Sequence, residues 1–256
     1  MQQNNRKILW INPIGVNSFD KPMLEYLNTV KDEKTVLDVV SFEKGPYHLE
    51  YHFYEALVSR DILRTVKMAE KKGYDAAVIG CFYDPFLFEA REITQIVVTA
   101  PAESSLLTAI SLGYKFSILV GRKKWIPQME ENVIKYGFKD RLASFKSIDM
   151  GVLEFQKKKS ETEKRLLQAG RDAVEKDGAE VLIMGCTAEF GFYKRLQDEL
   201  KVPVIDATIA PLKYAEYLID LKKSVGLVHS KIGRYESPPY DEIRDWKIEE
   251  KFDIEW

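Results

Sequence analysis

The chain repeats itself, and the repeat limits the folds open to it. Gly73-Tyr-Asp-Ala-Ala-Val-Ile-Gly-Cys81 and Gly178-Ala-Glu-Val-Leu-Ile-Met-Gly-Cys186 share one pattern. Gly stands eight residues before Cys, an acid (Asp75, Glu180) six before it, and an apolar run leads into a second Gly directly before the sulfur. Each segment reads as a buried strand that delivers its last residue into a crevice. The repetition extends further. Ile8–Ile11 is answered by Phe116–Val120, Val36–Val40 by Ala143–Ile148, and Val97-Val98 by Pro203-Val204. The offsets are nearly constant, 108 from Ile8 to Phe116, 107 from Val36 to Ala143, 105 from Val98 to Pro203 and 105 between the cysteines. Two units of one plan therefore succeed each other in sequence.

Helical patterns separate these strands: 56–72 and 160–176 before the two cysteine strands, 104–112 and 209–221 after the fourth strand of each half. Gly113 and Gly137 stand where helix-stopping C′ glycines belong. Short apolar strands alternating with helices predict α/β units with parallel sheets. The expected fold is thus α/β with two pseudo-symmetric lobes, each a mostly parallel sheet flanked by helices, and an active site in the cleft between them. Residues 1–113 are read as the first lobe, to which 207–256 can return, and 114–206 as the second.

Cys81 and Cys186 are the only cysteines in 256 residues. Taken singly, a strand-end Cys is often only a small buried hydrophobe. Placement of both at one point of a duplicated motif favours chemistry over packing. One thiol from each half suits a reaction that needs two opposed acid and base groups, such as inversion of a carbon stereocentre. After Cys81, Asp84 reads as an N-cap and Pro85 as a first-turn residue for a helix over 86–93. Cys186 is expected to precede a helix running through Leu200. Each thiol would then sit before a helix N-terminus, which favours the thiolate.

Composition narrows the partners. With 38 basic and 40 acidic residues the formal charge is −2, so no broad basic face for nucleic acid is expected and the partner is a small molecule. The apolar stretch Ile8–Ile11 is too short for a signal-peptide core, and no 18-residue apolar run suggests a membrane span. Two cysteines build no disulfide framework, which points to the reducing cytoplasm. The His48/His52 pair lacks further zinc ligands and reads as a loop at the cleft rim with room for substrate gating. Neither GxGxxG nor GxxxxGK[ST] occurs, so nucleotide binding has no support. Lys157-Lys158-Lys159 and Glu249-Glu250 read as solvated faces. Phe86, Phe88, Phe190 and Phe192 read as core aromatics, and Tyr83, beside the thiol, as a pocket residue.

Several short motifs resemble the cofactor-independent Asp/Glu/hydantoin racemase superfamily, and within it hydantoin racemases most closely. They are Ile11-Asn12-Pro13, Gly80-Cys81-Phe82 with Asp84-Pro85, Ala102-Glu103, Phe116-Ser117, Gly185-Cys186, Ser230-Lys231 and Pro238-Pro239. The resemblance implies two lobes about a pseudo-twofold axis, with Cys81 and Cys186 transferring protons on opposite faces of the substrate and no PLP, metal or other cofactor. It implies that Asn12, Phe82, Tyr83, Glu103 and Thr187 line the site, and the enzyme is expected to be a homo-oligomer. A 5-substituted hydantoin or related cyclic ureide is the expected substrate. An amino-acid racemase, a maleate-isomerase-like or arylmalonate-decarboxylase-like enzyme, and a binding protein on the same scaffold are the alternatives. Hydantoin racemases usually carry small residues where this chain has Tyr83 and Phe86, and beyond the second cysteine where it has Thr187-Ala188-Glu189.

Overall fold

The computed structural model describes residues 5–254. The first half runs β1 (Arg6–Asn12), α1 (Asp20–Asn28), β2 (Thr35–Ser41), α2 (His52–Leu57), α3 (Ser59–Lys71), β3 (Ala76–Ile79), α4 (Leu87–Ile93), β4 (Val97–Thr99) and α5 (Pro101–Leu112). The second runs β5 (Phe116–Val120), α6 (Ile126–Lys135), β6 (Leu142–Ser147), α7 (Lys159–Asp177), β7 (Val181–Met184), α8 (Tyr193–Leu200), β8 (Val204–Ile205) and α9 (Ile209–Val225). Two short helices, α10 (Tyr240–Asp245) and α11 (Ile248–Phe252), complete the chain's described part.

The strands form two four-stranded sheets, ordered β2-β1-β3-β4 and β6-β5-β7-β8. Every pairing is parallel. The α/β architecture with two parallel sheets is thus as the repeat predicts, and the order is the same in both halves. The central strands are buried along their length, which is why they read as unbroken apolar runs rather than alternating ones.

By contacts the chain divides into two compact units. One holds 1–80, 85–100 and 212–256; the other holds 81–84 and 101–211. Helix α5 therefore clusters with the second sheet, and so does the short Cys81–Asp84 segment.

The repeated acids have a structural reason. The backbone N–H of Asp75 donates to Lys7 O and that of Glu180 to Lys115 O, at 2.7 and 2.9 Å. Their carboxylates accept in return from the N–H groups of Lys7 and Tyr114, at 2.8 and 2.7 Å. Each acid thus pins its strand at the start of the sheet's central strand, satisfying backbone groups that would otherwise lack partners.

The two helix-stopping glycines differ. Gly137 has φ +83 and its N–H donates to Ile134 O, as a C′ glycine should. Gly113 is not in that conformation; a Cβ there would meet Val181 Cγ2 at 2.8 Å, so close packing against β7 requires it. Of the four phenylalanines expected in the core, only Phe192 is buried; Phe86 and Phe190, which precede α4 and α8, are half-buried, and so is Phe88 within α4, whose ring lies 5.9 Å from that of Tyr235. His52 opens α2 instead of lying in a loop, and the His48 ring packs against Tyr51 and Tyr54.

The Ser230-Lys231 tail docks on the first unit. Lys231 Nζ donates to the carbonyls of Arg91, Glu92 and Thr94 at the C-terminal end of α4, the cation placed where the helix dipole favours it. His229 Nε2 accepts from Val98 N at 3.1 Å, and burial holds its pKa down at about 3.

Candidate active site

Both thiols come two residues after their strands, behind Gly80 and Gly185. In each half that glycine's N–H donates to the neighbouring central strand, Gly80 to Ile11 O at 2.8 Å and Gly185 to Leu119 O at 2.7 Å. A Cβ at Gly80 would lie 2.5 Å from Trp10 Nε1, and one at Gly185 would lie 2.7 Å from Leu119 O. The Gly-Cys pair is therefore fixed twice by the same close approach of strand to strand. Cys81 and Cys186 stand outside any disulfide and are half-buried, a state open to chemistry.

Gly80→Ala is expected to force Trp10 aside, and with it the Trp10 Nε1–Asn12 Oδ1 hydrogen bond of 2.8 Å. Overpacking of this kind costs about 1–3 kcal/mol. Denaturant titration should show that loss, and an unchanged midpoint would refute the packing account.

The segments after the two cysteines differ from expectation. Asp84 does not cap α4, which begins only at Leu87 behind Phe86, a residue in left-handed conformation without a side-chain cap. Asp84 itself has φ 50, and its carboxylate turns to the start of α5, accepting from the N–H groups of Ala102 and Glu103, each at 2.7 Å. The Tyr136 hydroxyl donates a third bond at 2.8 Å. Cys81 is thus six positions before the first residue of α4. Past Cys186 a single 3-10 turn, Thr187–Glu189, ends at extended Phe190 and at Gly191, whose φ is 88; α8 starts only at Tyr193. Gly191 N donates to Asp206 Oδ2, which holds the chain in that break.

Two acids now come forward at matching places. Asp84 stands three residues after Cys81 and Glu189 three after Cys186. The N–H of each donates to its cysteine's carbonyl, at 2.9 and 3.1 Å. Asp84 is 3% exposed and Glu189 0%. Burial pushes the Asp84 carboxyl up to about 7 in spite of its three donors, with the Glu103 charge adding to the rise. Glu189 has no hydrogen-bond partner for either oxygen. Burial first and the Asp206 charge second raise it well above the usual carboxylate range, with the nearby Cys186 backbone N–H, short of a formed hydrogen bond, pulling the other way.

Among the remaining expected site residues, Phe82 and Tyr83 are buried, and the Tyr83 carbonyl accepts from Asn132 Nδ2 at 2.7 Å. Glu103 is half-buried in the first turn of α5, joined to the Cys81 turn through Asp84. The Thr187 carbonyl accepts from Thr208 Oγ1 at 3.2 Å. Asn12 ends β1 in the first unit, buried, accepting from Trp10 Nε1 and donating to Asp20 Oδ1 at 2.8 Å each. The sequence did not point to Asn132, Tyr136 or Asp206. One signal for Asp84 was there: α5 opens Ala100-Pro101 with no capping side chain in place, so the cap had to come from elsewhere in the chain. Among the described residues no group of three or more His, Cys, Asp or Glu side chains is arranged to hold a metal ion, and no helix is long and apolar enough to cross a membrane.

A family model described as Asp/Glu/Hydantoin racemase matches residues 8–215. A hydantoin racemase of Pseudomonas sp. (strain NS671) is 34% identical over 91% of this chain and 92% of its own length. One of Paenarthrobacter aurescens is 33% identical over 91% and 97%. An allantoin racemase structure from Klebsiella pneumoniae superposes with a TM-score of 0.86 at 28% identity, covering 92% of this chain and 94% of that one. What fold and relatives define together is a racemase, an isomerase by class. The chain belongs to the Asp/Glu/hydantoin racemase family.

Proposed function

We propose that this racemase inverts the ring carbon of a 5-substituted hydantoin or a related cyclic ureide, with Cys81 and Cys186 as opposed acid and base and no cofactor. The observation that carries the reading is the duplicated placement of the two thiols after β3 and β7. The names of the relatives support the ring class, since allantoin is itself a hydantoin with a ureido group at C5.

The chemistry stems from the ring. The C5 hydrogen lies beside a carbonyl, so its removal leaves a planar carbanion whose charge spreads onto oxygen. One cysteine, as thiolate, takes the proton; the other, as thiol, returns one to the opposite face, and the two have then exchanged charge states. A thiol whose pKa lies near the working pH serves either role. Asn12, Phe82, Tyr83, Glu103 and Thr187 are assigned to hold the substrate. Two cysteines outside any disulfide suit a reducing compartment, the cytoplasm. A homo-oligomer is the expected assembly, which its mass in solution would read out.

Single enantiomers of 5-substituted hydantoins, allantoin, aspartate, glutamate and an arylmalonate, incubated in D2O without added cofactor, test the assignment. Loss of optical rotation with one deuterium gained at C5 of a ring substrate is expected. Inversion of the free amino acids alone, release of CO2, or activity lost to EDTA and restored by zinc would each overturn it.

A further inference from the structure

The two halves treat their matching acids differently, and the difference lies in how the next long helix is capped. In the second half Asp206 stands two residues before Thr208; its Oδ1 accepts from Thr208 N at 2.8 Å and its carbonyl from Ile209 N and Ala210 N at 3.1 Å each, so α9 has a cap of its own. Glu189 is left buried with neither carboxylate oxygen in a formed hydrogen bond. In the first half the residue before α5 is Ala100, whose side chain has no acceptor for the first-turn N–H groups. Asp84 supplies the cap from the Cys81 turn instead.

That turn is held at several polar points. Asp84 N closes it onto Cys81 O, Asn132 of α6 takes the Tyr83 carbonyl, and the carboxylate spans α5 and Tyr136, the residue that ends α6. A left-handed aspartate costs conformational energy that the surrounding bonds must offset. A helix cap drawn from the turn that carries a thiol couples the thiol's position to the helix.

We infer that Asp84 is the positioning residue of Cys81, its carboxylate fixing the turn that presents the thiol, and that the matching acid Glu189 does not play this part for Cys186. The groups facing Asp84 are the Ala102 and Glu103 N–H groups and the Glu103 carboxylate of α5, with the Tyr136 hydroxyl after α6. Protonation of Asp84 weakens its acceptor bonds to α5, so the hold on Cys81 is expected to change near neutral pH, where the carboxyl titrates.

The role of Asp84 does not need the racemase reading, and one arm of the test is free of it. Site-resolved iodoacetamide alkylation, read by mass spectrometry of the Cys81 and Cys186 peptides, is measured against pH in the wild type, Asp84→Asn and Tyr136→Phe. Wild-type Cys81 is expected to show a step near pH 7 on top of its own thiol titration. Asp84→Asn should remove that step, Tyr136→Phe should move it, and the Cys186 profile should stay as it is. Cys81 profiles that coincide in wild type and Asp84→Asn, or equal changes at both cysteines, would overturn the inference. Thermal melts show whether each variant is folded, and Tyr136→Phe leaves the acid in place should Asp84→Asn fail to fold.

The second arm rests on the proposed function. Misplacing a reacting group by about 1 Å costs on the order of 10²-fold, so Asp84→Asn should lower kcat by ~10–100-fold with KM nearly unchanged. A fall in kcat matched by a comparable rise in KM would mark a general structural role and overturn the inference. Failure of all ring substrates with the alkylation pattern intact would sink the substrate assignment and leave the positioning role standing.

Discussion

Cys81→Ser and Cys186→Ser are each expected to abolish inversion in both directions, because in the proposed two-base reaction one thiol removes a proton and the other supplies one in each turnover. A serine hydroxyl ionises far above neutral pH and is a poor substitute for either task. Positioned acid–base groups typically contribute ~10²–10⁴-fold, and a loss of that size is the expected result for each variant. Inversion and proton exchange need not fail together. The enantiomer whose hydrogen faces the surviving thiol can still exchange it with solvent without changing hand. The two variants should therefore give mirror-image patterns of deuterium uptake when each enantiomer is offered separately in D2O. Near-normal turnover by Cys186→Ser beside a dead Cys81→Ser would point to a one-thiol reaction and end the two-base reading.

The repeat told a great deal because strands buried on both faces leave unbroken apolar runs, and a doubled run at a constant offset implies a doubled unit. Parallel pairing, the shared strand order of the two halves and the paired glycines before Cys81 and Cys186 all agree with it. What the sequence hid lies in contacts distant along the chain. Asp84 with Pro85 after it satisfies every local rule for opening a helix, yet its carboxylate caps α5, whose first N–H groups belong to residues 102 and 103. Local chemistry names a capping residue without naming the helix it caps. The break after Cys186 was hidden for a similar reason: Thr187 to Leu200 carries enough helix-forming residues to read as one element, and the stop comes from Asp206, fifteen residues beyond Gly191. Glu189, one of the larger residues that follow the second cysteine here, is completely buried, which nothing local in the sequence foretells.

That burial yields the second large effect, on stability. A carboxylate sealed from water without a formed hydrogen bond is costly, and Asp206 adds a like charge, so the folded protein keeps Glu189 protonated well above the usual range. Linkage sets the sign. An acid whose folded pKa is raised contributes stability that is fully present below its unfolded value near 4.5 and is lost as the pH rises through the folded value. Over that window the unfolded chain ionises Glu189 and the folded one does not, which costs about 1.4 kcal/mol for each pH unit. Glu189→Gln keeps the shape and removes the titrating proton, so its melting temperature should gain on the wild type as the pH rises above 5. For a chain of this size each kcal/mol is worth roughly 2–4 °C. The diagnostic is the slope of the difference against pH, since any constant offset from burying an amide leaves the slope untouched. Melting curves of the two proteins that stay parallel across this range would mean that Glu189 is already ionised in the folded state, with a donor or an opposite charge at its carboxylate.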